Sequence, residues 1–425
     1  MKIERIKEVL IYLCVFFLPY TTFRIMGLKL SEILMCLICF LSMFTTFKNN
    51  GMKIKIKNAP HVKFFFGFSI AIILSMCINF LDETYLEKNG INNGVYYSYE
   101  YGWMFKIIRL LLVICFTSIL IIFFKESKKN IKRISNAYVI STLIIDIYAL
   151  IKLGTKILHI KFGITRTSLM AVEPSEAGFI NAVSIIIVIY EIIINKEFNI
   201  KNIVSLLILF ITQIYIGSAA ALAFLPISIL LIMFYRTKKD KKFRKYTLLL
   251  CIILISGFYY LVTQTNIFNK VINYKQLQDV QGSSSVERIA AIQTGIVMFK
   301  EKPIFGFGWG NFGWFVEKYK TTTLYNTVGG GSFSANNQYI VILSELGIIG
   351  STIFICFISQ ILKYIRHINK TKLDKESNMY FYIFLTLFAY VMLSNFTLNA
   401  IYSYQLWISI SVIIYLYYNS VTVKK

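Results

Sequence analysis

The sequence predicts an all-α polytopic membrane protein with about twelve transmembrane helices. Of its 425 residues, 56% are hydrophobic and 16% are charged, whereas a soluble domain carries charge on about a quarter of its residues. The apolar residues form continuous runs of roughly 20 residues, the length that crosses a hydrocarbon core about 30 Å thick. Strands of a transmembrane barrel would instead alternate in polarity over about ten residues. The runs therefore indicate helices rather than a barrel.

The predicted helices make an even number of crossings, so both termini lie on one side of the membrane, the cytoplasmic side. The helices are predicted at residues 8–23, 27–47, 64–81, 104–124, 135–154, 175–194, 203–217, 219–235, 247–263, 335–358, 378–396 and 402–418. The seventh and eighth of these require a tight outer turn at Gly217-Ser218-Ala219-Ala220-Ala221. The basic segment 236–245 supports this turn, because one long helix would carry that segment to the outer side.

The lysines and arginines are concentrated in alternate loops, and the chain has a net charge of +24. The clusters lie at residues 2–7, 48–63, 125–133, 236–245, 363–375 and 424–425. Such basic loops remain in the cytoplasm and face anionic lipid. We therefore expect membrane lipid, and no nucleic acid, as the partner of these charges.

The chain divides into three predicted parts. Residues 1–263 hold helices one to nine, residues 264–334 form one large extracytoplasmic loop, and residues 335–425 hold helices ten to twelve. Within the loop, the stretch from Ser285 to Lys300 places apolar residues at helical spacing, which predicts an amphipathic helix lying at the membrane surface. All seven cysteines lie in or beside the apolar runs, so no disulfide framework is predicted.

Several kinds of chemistry find no support in the residues present. The three histidines, His61, His159 and His367, are scattered and make no zinc site. The sequence contains no Walker loop and no nucleophile elbow. Glycines at 306, 308 and 310 form a GxGxG run, but the run follows Pro303 and aromatic residues rather than a strand, so it is a weak nucleotide motif. We expect no metal and no other cofactor.

Two outer regions combine charged groups with predicted helix ends. In the first, Arg166 precedes Glu173 and Glu176 at the start of the sixth helix. A carboxylate there could accept a proton from an attacking hydroxyl, and an arginine could hold a phosphate with two hydrogen bonds. The alternative is a plain helix start, because Pro174 in a first turn and Glu176 beside a helix N-terminus are what a capped helix shows.

The second region begins at Arg288 and ends in the tenth helix. It contains Asn336, Asn337 and Tyr339, and Glu345 follows about two turns below Asn337. A carboxylate at that depth is costly unless it faces a partner or a cavity. Arg109 and Asp146 lie at similar depths in neighbouring helices, which predicts a structural ion pair with a functional role as the alternative.

The second region resembles the O-antigen ligase and Wzy-type polymerase superfamily. In that family an arginine opens an outer amphipathic helix, a Pro-x-x-Gly-x-Gly turn follows, and a polar pair precedes a helix that contains Glu-x-Gly-x-x-Gly. The chain has, in this order, Val286-Glu287-Arg288, Pro303-Ile304-Phe305-Gly306-Phe307-Gly308, Asn336-Asn337 and Glu345-Leu346-Gly347-Ile348-Ile349-Gly350. The first region resembles the polymerase branch through Glu173-Pro174-Ser175 with Arg166 upstream.

The resemblance implies a GT-C-like membrane glycosyltransferase whose active site lies on the outer face of the cytoplasmic membrane. The implied reaction is metal-independent, inverting transfer from an undecaprenyl-diphosphate-linked oligosaccharide. The resemblance makes Arg288 and Glu173 catalytic residues, the arginine toward the diphosphate and the carboxylate toward the acceptor hydroxyl. The residues implied to bind substrate are Arg166, Asn336, Asn337, Tyr339 and Glu345.

Two departures favour one branch of the superfamily. Ligases commonly have His-Asn before the tenth helix, where this chain has Asn336-Asn337, and many members carry an arginine where this chain reads Ile216-Gly217-Ser218-Ala219. Both differences favour a polymerase of repeat units for O-antigen, capsule or exopolysaccharide, with a flippase and a chain-length regulator as candidate partners. The alternatives are a ligase-like transferase to another acceptor, and a lipid-linked oligosaccharide flippase or other transporter. A transporter often shows two related halves, and no such repeat is found here.

Overall fold

A computed structural model describes residues 2–25, 28–48, 59–80, 103–158, 169–171, 173–195, 199–237, 284–319 and 335–422. In this part of the chain the helices are α1 Lys2–Phe16, α2 Leu30–Lys48, α3 Pro60–Phe80, α4 Trp103–Glu126, α5 Lys129–Leu158, α6 Pro174–Asn195, α7 Ile200–Ile216, α8 Ala219–Thr237, α9 Ser284–Glu301, α10 Phe312–Tyr319, α11 Gln338–Lys370, α12 Lys375–Ser394 and α13 Tyr404–Thr422, with a 3₁₀ turn at Ala400–Tyr402. A short antiparallel hairpin pairs β1 Arg24–Ile25 with β2 Leu28–Lys29.

The helices follow the apolar runs of the sequence. Each predicted run coincides with a helix except 247–263, which lies outside the described residues. Six helices within the described ranges, α3, α4, α5, α6, α11 and α12, are long and apolar enough to cross a membrane, and α2, α7 and α8 contain shorter apolar stretches. The chain is therefore a multi-pass, mainly helical membrane protein. The number of crossings, the three-part division and the side on which the termini lie stay predictions.

Two groups of helices share α12 and α13 as their common wall. One group places α11 against α3, α9 and α13, and the other places α6 against α5, α7, α8 and α12. Aromatic contacts hold the first group: Phe64 stacks on Phe357 with ring centres 4.4 Å apart, and Tyr364 stacks on Tyr417 at 3.8 Å. Between helices in lipid, such close side-chain packing replaces the hydrophobic effect as the main attraction.

Three of the basic clusters meet at one end of the bundle. Arg133, at the start of α5, lies 3.2 Å from Glu8 of α1, and Lys128 binds Asp374 across the two helix connections. Slight burial raises the pKa of Asp374, but the hydrogen bonds from Lys128 and from Ser377 outweigh it, so that pKa lies below its usual value. These are three of the six clusters predicted to be cytoplasmic, and the side on which they lie stays a prediction.

The turn predicted between the seventh and eighth helices is present. Gly217 ends α7 in the left-handed conformation, with φ 65°, and α8 begins two residues later. The turn packs closely on the first turn of α6, because a Cβ atom on Gly178 would lie 2.6 Å from the Cβ of Ser218. Gly217 allows the chain to turn between α7 and α8, and Gly178 leaves space for that turn against α6.

The predicted ion pair between Arg109 and Asp146 is wrong. Arg109 on α4 lies 3.0 Å from Glu32 on α2, whereas Asp146 on α5 is fully buried and lies beside Thr212 of α7. Helix α4 packs mainly on α2 and α13, whereas α5 packs on α1, α6 and α7. Depth follows from position in an apolar run, but the direction in which a helix face points does not.

Candidate functional site

Helix α11 is broken at Gly347, which divides it into residues 338–346 and 348–370. Gly347 has φ 61° and ψ −154°, a conformation that is open to glycine and strained for other residues. A break of this kind leaves carbonyl groups without partners at the end of the first segment and amide groups without partners at the start of the second. Inside a membrane protein these groups need partners from elsewhere in the chain.

The loop 302–311, which contains the Pro-x-x-Gly-x-Gly motif, supplies those partners. It brings two amides to the carbonyls of the first segment and two carbonyls to the amides of the second. The bonds are Phe307 N to Ser344 O at 3.0 Å, Gly308 N to Glu345 O at 2.8 Å, Ile348 N to Pro303 O at 2.8 Å and Ile349 N to Ile304 O at 3.3 Å. Two motifs that lie forty residues apart in sequence therefore form one docked unit.

Glycines of the loop allow it to lie close to α11 and to α3. Gly306 has φ +66°, and a Cβ atom there would lie 2.4 Å from the carbonyl carbon of Glu345. Gly308 has φ +94°, and a Cβ atom there would lie 2.8 Å from the sulfur of Met76 on α3. The GxGxG run thus serves backbone docking, which agrees with its weakness as a nucleotide motif.

Glu345 is 1% exposed, and its carboxylate binds the end of the loop where the chain enters α10. One oxygen accepts from Gly310 N at 2.7 Å and the other from Phe312 N at 3.0 Å. Phe312 is the first residue of α10, so the carboxylate also lies at the positive end of that helix. Lys106 of α4 lies 3.9 Å from Glu345 and 5.5 Å from the centre of the Trp309 ring. The buried charge expected to need a partner has one, and the role of Glu345 toward substrate stays a prediction.

Polar side chains of α3 and of the 3₁₀ turn hold the outside of the same loop. Ser75 donates to Phe305 O at 2.5 Å, Asn79 donates to Gly306 O at 2.9 Å and accepts from Lys302 at 2.7 Å, and Trp309 donates to Tyr402 at 2.6 Å. The sequence reasoning missed Ser75, Asn79, Lys106 and Tyr402. The available signal was the spacing of Ser75 and Asn79, which puts two polar groups on one face of an otherwise apolar helix.

The start of α11 contains three of the predicted site residues. Asn337 caps the helix by accepting from Tyr339 N at 3.1 Å and Ile340 N at 3.2 Å. Asn336, just before it, has a left-handed backbone with φ 46°. Tyr339 donates its hydroxyl to Met392 O at 2.7 Å. These contacts join the start of α11 to the end of α12, so they position this segment whatever else its side chains do.

Arg288 lies on α9, which runs alongside the first segment of α11 in the same direction. Gly295 touches Ile340, and the loop that follows α9 touches residues 344–349. Arg288 precedes Gly295 by about 10 Å along the helix. It therefore lies near the start of α9, beside the segment Asn336-Asn337 that leads into α11. Its side chain is half-buried. The orientation of α9 toward the membrane surface stays a prediction.

The start of α6 shows the features of a capped helix. Glu173 is exposed, its carbonyl accepts from Ala177 N at 3.0 Å, and its carboxylate accepts from the Ser175 hydroxyl at 3.1 Å. Pro174 is the first helical residue, as expected for a helix start. Glu176 instead turns to the α1–α2 connection, where Thr21 donates to it at 3.0 Å and Lys29 lies 3.4 Å away. Arg166 lies outside the described residues.

Both candidate regions lie at the same end of α12. Phe179, near the start of α6, stacks on Tyr390 with ring centres 5.5 Å apart, and Tyr339 of α11 reaches Met392. The structure therefore brings Glu173, Asn337 and Tyr339 to one end of the bundle, opposite the basic clusters. Among the residues that the structure describes, no group of three or more histidine, cysteine, aspartate and glutamate side chains could hold a metal ion.

The docked unit of the loop and the broken helix lies within a segment that matches a known family. Residues 204–355 match the family model described as O-antigen ligase. The match confirms the resemblance to the O-antigen ligase and Wzy-type superfamily. It extends from α7 through the Gly217 turn, α9 and the loop to the second segment of α11. None of the curated proteins compared matches the chain.

Proposed function

We propose that this protein polymerises lipid-linked oligosaccharide repeat units of a surface polysaccharide. It transfers the growing glycan from undecaprenyl diphosphate to the incoming unit on the outer face of the cytoplasmic membrane. The observation that carries the proposal is the position of Arg288. This arginine lies inside the segment that matches the O-antigen ligase family, on a helix fixed to α11 by the docked loop and at the end where α11 begins.

The proposed reaction forms a bond from the acceptor hydroxyl oxygen to the anomeric carbon of the donor glycan. The bond from that carbon to the diphosphate breaks with inversion, and the diphosphate leaves with the electron pair. Because the leaving group is already activated, the protein has to neutralise its charge and orient the hydroxyl. Arg288 and Arg166 bind the diphosphate, since a guanidinium can give two parallel hydrogen bonds to phosphate oxygens.

Glu173 accepts the hydroxyl proton in this proposal. Its exposure at the start of α6 supports that role, because an acceptor sugar can reach an exposed carboxylate without displacing packed side chains. Glu176, three residues later, already binds Thr21 and Lys29. Asn336, Asn337 and Tyr339 form the wall on the other side of the end of α12.

A ligase is the second candidate, because the matching family model is described as O-antigen ligase. Asn336 stands where ligases of the family commonly have histidine, and this difference favours the polymerase. Deleting the gene in its host and sizing the surface glycan separates the candidates. A polymerase requires that long chains disappear while a single repeat unit is still displayed. Long lipid-linked polymer that never reaches its acceptor would identify a ligase, and loss of all exported material would identify a flippase.

Replacement of Arg288 tests whether this residue binds the diphosphate. Arg288→Ala should lower polymer synthesis by about 100-fold or more, as removal of one group that stabilises developing charge does in other enzymes. Arg288→Lys should also be impaired, because an ammonium group cannot give the paired hydrogen bonds. Lys300→Ala is the matched control, since Lys300 is an exposed cation at the other end of α9. Full-length polymer from a stably inserted Arg288→Ala protein would contradict the assignment.

A further inference from the structure

A small cavity lies between α5, α6 and the segment that leads into α6. Its volume is about 10 Å³, and its polar lining side chains are Thr142, Asp146 and Asn181. The volume has space for a single water-sized sphere. Neither lysine nor arginine is among the described residues that line it. The cavity is therefore too small for a sugar or a phosphate. Its three polar lining side chains all carry oxygen, and the other residues that line it are apolar.

Asp146 is the buried charge of this cavity. It is 0% exposed, and neither carboxylate oxygen has a hydrogen-bond partner among the described residues. Thr212 of α7 lies beside it, and its neutral hydroxyl supplies no positive charge. A carboxylate inside a membrane protein is costly without a compensating positive charge.

The neighbouring polar groups also face the cavity as acceptors. Asn181 is 1% exposed and donates its amide nitrogen to Leu209 O at 2.9 Å, which fixes the side-chain orientation and leaves its oxygen without a hydrogen-bond partner among the described residues. Thr142 donates to Tyr138 O at 3.0 Å and already accepts from Ser184 at 2.9 Å. Several buried oxygens therefore converge with their own protons directed elsewhere.

An excess of oxygen acceptors around one carboxylate suits a hard cation. Carboxylate, amide and hydroxyl oxygens are the ligands that such cations take in proteins. A single water molecule brings two protons and no charge, so it leaves the carboxylate uncompensated. The one negative charge selects a monovalent ion, since a divalent ion would leave a net positive charge in a buried site.

We propose that Asp146, Asn181 and Thr142 form a binding site for a small monovalent cation, with Na⁺ as the fitting ion. The site ties α5 to α6 and lies directly behind the segment 169–171, two residues before Glu173. Bound Na⁺ would therefore stabilise the start of α6. This inference does not rest on the proposed glycosyl transfer, because binding and stability can be measured without any glycan.

Thermal unfolding of the purified full-length protein in detergent tests the site. The probe is NaCl, compared with choline chloride at equal ionic strength, because choline is too large for the cavity. Na⁺ should raise the unfolding midpoint in a saturable way, by roughly 2–4 °C for an ion that binds only the folded state. An unfolding midpoint that is the same in the two salts would overturn the proposal.

Two variants distinguish the site from a general salt effect. Asp146→Asn keeps the side-chain volume and removes the charge, so its midpoint should not depend on Na⁺. Asp374→Asn removes an exposed carboxylate at the other end of the bundle and should keep the full Na⁺ response. A response that persists in Asp146→Asn would contradict the assignment. If Asp146→Asn fails to fold, the ²³Na NMR line width is measured with the unmodified protein instead. Saturable broadening of the line would support the site, and its absence would contradict the proposal.

Discussion

The loop 302–311 and the start of α6 both bring a glutamate to a helix start, but they use it in opposite ways. At the loop, Glu345 is 1% exposed and both of its oxygens bind backbone amides. At the start of α6, Glu173 is exposed, and its carboxylate accepts a hydrogen bond from the Ser175 hydroxyl. The first glutamate holds the backbone together, and the second remains accessible.

The difference shows that the most recognisable motif of this chain is largely architectural. The glycines of Pro-x-x-Gly-x-Gly and the Glu-x-Gly of α11 close the gap in a broken helix through four backbone hydrogen bonds. The residues that we propose to meet the substrate lie outside this unit, at the start of α9 and the start of α6. Fixing the backbone firmly at one place allows nearby side chains to be held in a defined geometry.

The largest effect is expected at the docked loop. Gly306→Ala puts a Cβ atom 2.4 Å from the Glu345 backbone at a residue with φ +66°. The loop would then lose its four bonds to α11, at a cost of about 3–5 kcal/mol in the free energy of unfolding. Thermal unfolding in detergent and the amount of protein in the membrane measure the loss. Gly67→Ala is the control, because its nearest neighbour would lie at 3.4 Å. Equal stability of Gly306→Ala and the unmodified protein would show that the loop is not needed.

A smaller loss is expected when the charge inside the docked unit is removed. Glu345→Gln keeps the shape but weakens the bonds to Gly310 and Phe312, and leaves Lys106 without its counter-charge, at a cost of about 2 kcal/mol. Lys106→Met added to this variant should restore part of the loss, because the uncompensated ammonium group is removed. A double-mutant cycle on unfolding free energies should give a coupling of about 1 kcal/mol. Strict additivity would mean that Lys106 and Glu345 do not interact.

The smallest effect on stability is expected at the start of α6, where function should change most. Glu173→Gln should alter the unfolding free energy by less than about 0.5 kcal/mol, because the side chain is exposed, yet abolish long polymer if Glu173 accepts the proton. Glu176→Gln should cost up to about 1 kcal/mol by weakening the contact with Lys29 and leave polymer length unchanged. Sizing the glycan beside a stability measurement compares the two. Polymer of normal length from Glu173→Gln would mean that another group accepts the hydroxyl proton.

The docked loop marks the limit of prediction within the candidate site. The need of Glu345 for a partner could be predicted, because a carboxylate within an apolar run is costly. The partner itself could not, since Lys106 and the amides of Gly310 and Phe312 come from other parts of the chain. Asn337 was predicted at the substrate, and the structure adds that it caps α11. Its role toward substrate stays a prediction.

The sequence by itself predicted where the described helices lie, that three of the basic clusters meet, and where the chain turns at Gly217. Apolar run length, charge placement and glycine are local properties, and the membrane converts them directly into local structure. Only the tertiary structure decided that Arg109 meets Glu32 rather than Asp146, and that the loop 302–311 repairs a break in α11. Those outcomes depend on the rotation of each helix about its axis and on backbone pairing between distant segments, and neither is encoded in the composition of one run.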